Sequence, residues 1–106
     1  MFRPWSQDPR PVWRVQATCW TPEPTDTDDH ALLLKTLAET GHVRAPALET
    51  GHGRVTLTML VHAYGHEAAE HIAGRVAEVA YHAAGLGHLG MRITCTAESH
   101  RAYDVA

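Results

Sequence analysis

The chain has 106 residues and a mass of 11.7 kDa, enough for one domain around one core. Apolar residues make up 44% and charged residues 20%, which excludes wholesale disorder, and the net charge of -3 argues against nucleic acid or an anionic membrane as partner. The opening MFRPWSQDPRPVW has no apolar signal core and no stretch approaches a membrane span, so a cytoplasmic location is expected.

Two cysteines, Cys19 and Cys95, are too few for a disulfide framework. Among the basic residues only Lys35 is not Arg, a bias that reads as a GC-rich bacterial genome. Nine histidines make the net charge sensitive to pH between about 5 and 7.

In chain order, residues 1–11 carry Pro4, Pro9 and Pro11 and form an extended arm. VWRVQATCW (12–20) alternates: Trp13, Val15, Ala17 and Cys19 take one face, Arg14, Gln16 and Thr18 the other, a half-buried strand. A polar loop leads to a helix over HALLLKTLAET, with Thr25 or Thr27 as cap, Asp28 and Asp29 at its positive end, and Gly41 as its stop. HVRAPALE is a strand that Pro46 confines to a sheet edge. After the turn Thr50–Gly53, RVTLTMLVH points Val55, Leu57, Met59 and Val61 inward and Thr56, Thr58, Leu60 and His62 outward. A second helix runs from about His66 to Ala84 with an apolar stripe of Ile72, Val76, Val79, Ala80 and Ala83; Gly85 ends it and Leu86 closes a Schellman contact. MRITCTAE is the last strand, with Met91, Ile93, Cys95 and Ala97 inside, and residues 99–106 read as a loose tail.

The order βαββαβ, with right-handed crossovers, predicts an α+β ferredoxin-like domain over residues 12–98: an antiparallel four-stranded sheet, order 4-1-3-2, with two helices on one face. Cys19 and Cys95 then point into the core on neighbouring strands, well apart, as reduced packing residues.

The densest chemistry is HAYGHEAAEH (62–71). His62, His66 and Glu70, with His71 close by, could hold a transition metal with one position open. The stretch misses both HExxH and HxxEH, and helix-end electrostatics already account for its carboxylates, so it reads first as the opening of a helix. No cofactor is expected.

The outer sheet face should carry Arg14, Gln16, Thr18, Thr56, Thr58, Leu60, His62, Arg92, Thr94, Thr96 and Glu98. RNA-binding domains of this topology need aromatics on the central strands, where this chain has Gln, Thr and Leu. Solvent can cover such a face. A moderately polar interface is the functional alternative, either with a second copy as a homodimer or with another protein, through Arg14, Gln16, Thr18, Thr56, Thr58, Leu60, Arg92, Thr94 and Thr96. A small cofactor-free dimeric oxygenase or isomerase competes with this reading. It would need a cavity lined by Trp13, Met59 or Cys95 with Tyr64, Tyr81 or His82 at its mouth, yet no nucleophile is paired with a base. Tyr81 and His82 read as rim packing and surface. GLGHLG (85–90) joins a helix end to a strand, the reverse of a phosphate loop.

The layout TDDHALLLKTLAE, RVTLTML, AAEHIAGRVAEVAYHAAGL, MRITCTAES resembles a family of small modules of GC-rich bacteria, which occur alone or ahead of a helix-turn-helix segment. The similarity spans residues 12–98 and brings no catalytic residue with it. It implies an accessory or regulatory module, here without a DNA-binding part. The reading is therefore a non-catalytic protein-binding, dimerisation or regulatory module.

Overall fold

The computed structural model describes residues 9–22, 24–51 and 53–97. Six elements follow one another: β1 (Val12–Trp20), α1 (Thr27–Ala38), β2 (Val43–Gly51), β3 (Arg54–His62), α2 (His66–Ala83) and β4 (Gly90–Ala97). All three strand pairings are antiparallel and the sheet order is β2-β3-β1-β4, which read from the β4 edge is 4-1-3-2. Helix α2 lies against β1, β3 and β4, and α1 against β2 and α2. The fold is thus α+β, with the helices stacked on the sheet. Residues 1–8 of the expected arm, Glu98 and the expected tail lie outside the described residues.

The inward positions of β1 and β3 follow the alternation. Val15, Ala17, Cys19, Val55, Leu57, Met59 and Val61 are all buried beneath the helices. Each large one is worth about 1.5–3 kcal/mol relative to leaving it in water. Trp13 packs at the margin and donates its indole N–H to the Ala63 carbonyl at 2.9 Å, so its one polar atom is satisfied where it enters the core. On β4, Met91, Ile93 and Cys95 are half-buried against this core, but Ala97, expected inside, is exposed.

The edge strand β2 behaves as its proline demands. The register slips between Arg44 and Ala47, and Ala45 takes a left-handed φ of 51°, so a bulge accommodates Pro46 without breaking the pairing on either side. The turn into β3 needs Gly53, whose φ is +66°.

Three sequence expectations for the helices are corrected. The cap of α1 is neither Thr25 nor Thr27 but Asp26, which accepts from the Asp29 amide at 2.8 Å while the Asp29 carboxylate accepts from the Asp26 amide at 3.0 Å. A carboxylate at each end of this capping box outcompetes a threonine, and Thr25 instead bonds His30 at 2.6 Å. Gly41 does not take a left-handed conformation; α1 closes on Glu39 in an ordinary right-handed one. The buried stripe of α2 is Ala69, Ala73, Val76, Ala77, Ala80 and Tyr81; of the expected Ile72, Val76, Val79, Ala80 and Ala83, Val76 and Ala80 are buried and Ile72 packs half-buried on the core, but Val79 and Ala83 do not. Val79 is 61% exposed and Ala83 is exposed. Small residues win the sheet-facing side because they let the helix approach; a β-carbon built on Gly74 would already lie 3.0 Å from Ile93 Cδ1.

The other end of α2 follows expectation. The Leu86 amide bonds the Tyr81 carbonyl at 2.9 Å, the Gly85 amide bonds that of His82 at 3.0 Å, and Gly85 has φ +71°. This is a Schellman closure, with Leu86 packed on the core. Among the described residues no helix is long and apolar enough to cross a membrane. Gly85→Ala should lower the unfolding free energy by about 1–2 kcal/mol, because an L side chain is strained in this conformation; denaturant melting that shows no loss would contradict the role given to Gly85.

Candidate functional site

The outer face of the sheet is built in rows fixed by the strand register. Arg44, Leu60, Arg14 and Thr96 lie across the strands in one row, Ala47, Thr58, Gln16 and Thr94 in the next, then Glu49, Thr56, Thr18 and Arg92, and last Gly51, Arg54, Trp20 and Gly90. The sequence-predicted residues Arg14, Gln16, Thr18, Thr56, Thr58, Leu60, Arg92, Thr94 and Thr96 are therefore brought together on one surface. Thr18 and Thr56 share a hydrogen bond of 3.0 Å across β1 and β3. The Arg92 guanidinium lies 5.6 Å from the centre of the Trp20 ring, and the Arg54 side chain lies over Gly51.

Charge is divided between the two faces of the molecule. The outer sheet face has Arg14, Arg44, Arg54 and Arg92 against Glu49 among the described residues. The helices and their caps carry Asp26, Asp28, Asp29, Glu39, Glu67, Glu70 and Glu78 against Lys35 and Arg75. A net charge of -3 conceals this division. It follows from each of the four strands placing an Arg at an outward position while carboxylates gather at helix ends, and it could have been found by assigning charges face by face.

The histidine cluster does not close on a common point. His62, expected to face solvent, is 7% exposed because the chain before β1 crosses it, and its Nδ1 lies 2.8 Å from the Arg10 carbonyl oxygen. His66 is the first residue of α2, after Gly65 as N-cap, with its ring 6.5 Å from that of Trp13. Glu70 lies toward β4, where its charge adds to burial in raising the Cys95 thiol pKa. His71 is exposed on a flank of the helix. Among the described residues no group of three His, Cys, Asp or Glu side chains is placed to hold a metal ion.

The residues named for an enzymatic cavity are also dispersed. Met59 is wholly buried, Tyr64 is 76% exposed in the turn before α2, and His82 is exposed. Tyr81, expected at the rim, is 1% exposed: it fills the core beneath α2, with its hydroxyl 3.5 Å from the Val55 carbonyl and its ring edge-on to His88. Burial, and then the neighbouring Cys19 thiol, push the Tyr81 phenol far above its ordinary range, and burial likewise raises Cys19. Both groups stay protonated, so this pair is a packed neutral contact rather than an activated nucleophile. Both cysteines are free, as expected.

Among the described residues α2 is flanked by a cleft on either side, and neither of these is lined by Trp13, Met59, Cys95, Tyr64, Tyr81 or His82. The larger, about 420 Å³, lies between α2 and the α1–β2 connection and is lined by Arg10, Thr40, His42, His71, Ile72, Arg75, Val76 and Val79. Sequence reading missed it because Val79, which is exposed, and Ile72, which is half-buried, had been assigned to the core with Val76.

No protein-family model matches the chain, and no curated protein sequence is similar to it. Among solved structures it is similar to protein SO0527 from Shewanella oneidensis, with a TM-score of 0.50 and 13% identity over 84% of this chain and 92% of that one. At that identity the likeness concerns the fold alone.

The Tyr81 environment carries a test. Its phenol is neutral in the folded state, whereas in the unfolded chain it ionises near 10.0. Stability should be unaffected below that pH and fall above it, as the unfolded state sheds a proton that the folded state keeps. Cys19 and Cys95 act in the same direction from about 9.0. An absorbance titration should show one tyrosine ionising only as the protein unfolds, a phase absent from Tyr81→Phe; a wild type whose tyrosines all titrate together while folded would refute it.

Proposed function

We propose that the chain is a non-catalytic cytoplasmic docking module, a ferredoxin-like domain whose outer sheet face receives an acidic surface of another protein. The observation that carries this reading is the division of charge. Four guanidiniums against one carboxylate, Glu49, stand on a sheet face whose other residues are mostly Thr, Gln, Ala and Gly, in a chain whose net charge is negative. Short side chains keep the face flat, and Arg supplies forked donors that match carboxylates. Leu60 and Trp20 add apolar area next to Arg14 and Arg92, the mixture found in protein interfaces. RNA is disfavoured, since the central positions that would stack bases hold Gln16, Thr18, Thr56 and Thr58.

Binding of an Asp/Glu-rich peptide at low ionic strength is expected to weaken with added salt, and to fall by roughly tenfold or more in Arg14→Glu/Arg92→Glu. Absent binding, or binding unaffected by the reversal, would sink the proposal. Tighter binding of single-stranded RNA with quenching of Trp20 would move the face to nucleic acid.

A second copy fits a different place. Two identical cationic sheet faces repel each other, but β4 is an edge strand without the bulge and proline that blunt β2, and its Met91, Ile93 and Cys95 are only half-covered. An isologous pairing of two β4 strands gives a homodimer with both cationic faces on one side. Sedimentation velocity should show a dimer in the wild type and a monomer in Thr94→Lys/Thr96→Lys; a wild type monomeric at high micromolar concentration excludes the pairing.

A further inference from the structure

We infer that the cleft between α2 and β4 is the helix half of an interface between two copies of this chain, each setting its α2 flank against that of the other. The inference rests on the pairing of β4 strands proposed above and names the side chains that make that pairing specific.

Main-chain pairing along one edge is not enough by itself. β4 has 8 residues. A ladder of that length fixes direction but buries few side chains, whereas stable interfaces bury about 1,200–2,000 Å². The remaining contact has to come from what stands beside the edge. α2 lies against both β1 and β4, so it is the helix next to that edge. Between α2 and β4 runs a shallow cleft of about 370 Å³. Its floor is Met91 and Ile93, half-buried on the helix side of β4, and its wall is Glu70, His71, Arg75 and Glu78 of α2.

The wall carries both signs, with Glu70 and Glu78 bracketing His71 and Arg75. A partner of one sign meets like charge over half of it. A second copy presents the same set in reverse order, and the fold supplies the reversal. Ile93 stands midway along β4, and a β-carbon on Gly74 would lie 3.0 Å from its Cδ1, so Gly74 adjoins the middle of the strand. A two-fold axis normal to the sheet at the middle of β4 therefore passes beside Gly74 and makes the two α2 helices antiparallel. The turn bearing Glu70 and His71 then faces the turn bearing Arg75 and Glu78 of the second copy. Glu70 and Glu78 of opposite copies come level, and Arg75 and His71 are the donors beside them. Arg75 meets Glu70 across the axis and His71 meets Glu78, each pair occurring twice.

Spacing favours these residue types. Strands about 4.8 Å apart put helices seated over β1 and β4 roughly 10–14 Å apart across that axis. Helices in apolar contact sit about 8–10 Å apart, so the wider gap calls for long side chains. Met91 and Ile93 give their aliphatic stems an apolar bed.

Sedimentation velocity tests the assignment with Arg75→Glu and Glu70→Arg, apart and mixed, one of the two fluorescently labelled. Either variant alone sets like charges at 70 and 75 across the axis, and the mixture sets opposite charges at both. Each alone should raise the dimer dissociation constant by roughly tenfold or more. An equimolar mixture should recover wild-type affinity as a heterodimer, which also shows that both variants fold. Arg54→Gln, on β3, is the control and should leave dimerisation unchanged. A dimer that Thr94→Lys/Thr96→Lys abolishes but neither charge variant weakens overturns the inference and leaves the β4 pairing standing. A wild type monomeric at high micromolar concentration overturns both. Weakening by each variant without recovery in the mixture overturns the inference too, as does a dimer broken instead by Val79→Asp, which moves the interface to the other flank of α2.

Discussion

The close seat of α2 on the sheet governs the rest of the structure. Ala69, Ala73, Ala77 and Ala80 are wholly buried where the helix meets β1, β3 and β4, and Gly74 passes near Ile93. A helix that presents methyl groups can lie low on a sheet, and the bulk of the core then comes from below, from Val15, Leu57, Met59 and Val61. Tyr81 is the one large residue α2 sends inward, at its last turn, where the Schellman closure bends the chain away and Leu86 packs beside it. Methylenes on the alanine face would force the helix up and open the layer.

The same constraint explains the surface. With alanines occupying most of the contact, Ile72 and Val79 fall toward its flank beside the buried Val76. There Ile72, Val76 and Val79 meet the chain leaving α1 and floor the groove, while His71 and Arg75 stand over it. On the far side of the sheet an arginine stands on each of the four strands, and among the described residues no helix covers them. The molecule therefore has an acidic helix layer and a cationic sheet face among the described residues.

Much of the fold was legible because its signals were local. Period-two alternation in β1 and β3, Pro46 at an edge, Gly53 in a turn with positive φ and Gly85 with Leu86 after α2 each depend on near neighbours in the chain. The sheet-face residues were legible for the same reason: outward positions on a strand are every second residue. The α1 cap was misread because hydroxyl and carboxylate candidates stood side by side, and only the reciprocal bonds between Asp26 and Asp29 distinguish them.

By itself, then, the sequence determined the element order, the faces of the strands and the residues that crowd the sheet's outer surface, since backbone periodicity and turn chemistry act over a few residues. Tertiary structure alone decided which side of α2 faces inward. Hydropathy favours valine over alanine, but the depth available above the sheet favours alanine, and that depth is set by strands distant in the chain. It also decided that His62 is covered by the segment bearing Arg10 while His66, Glu70 and His71 point elsewhere, because four side chains within ten residues share a ligand only if the fold turns them toward one another.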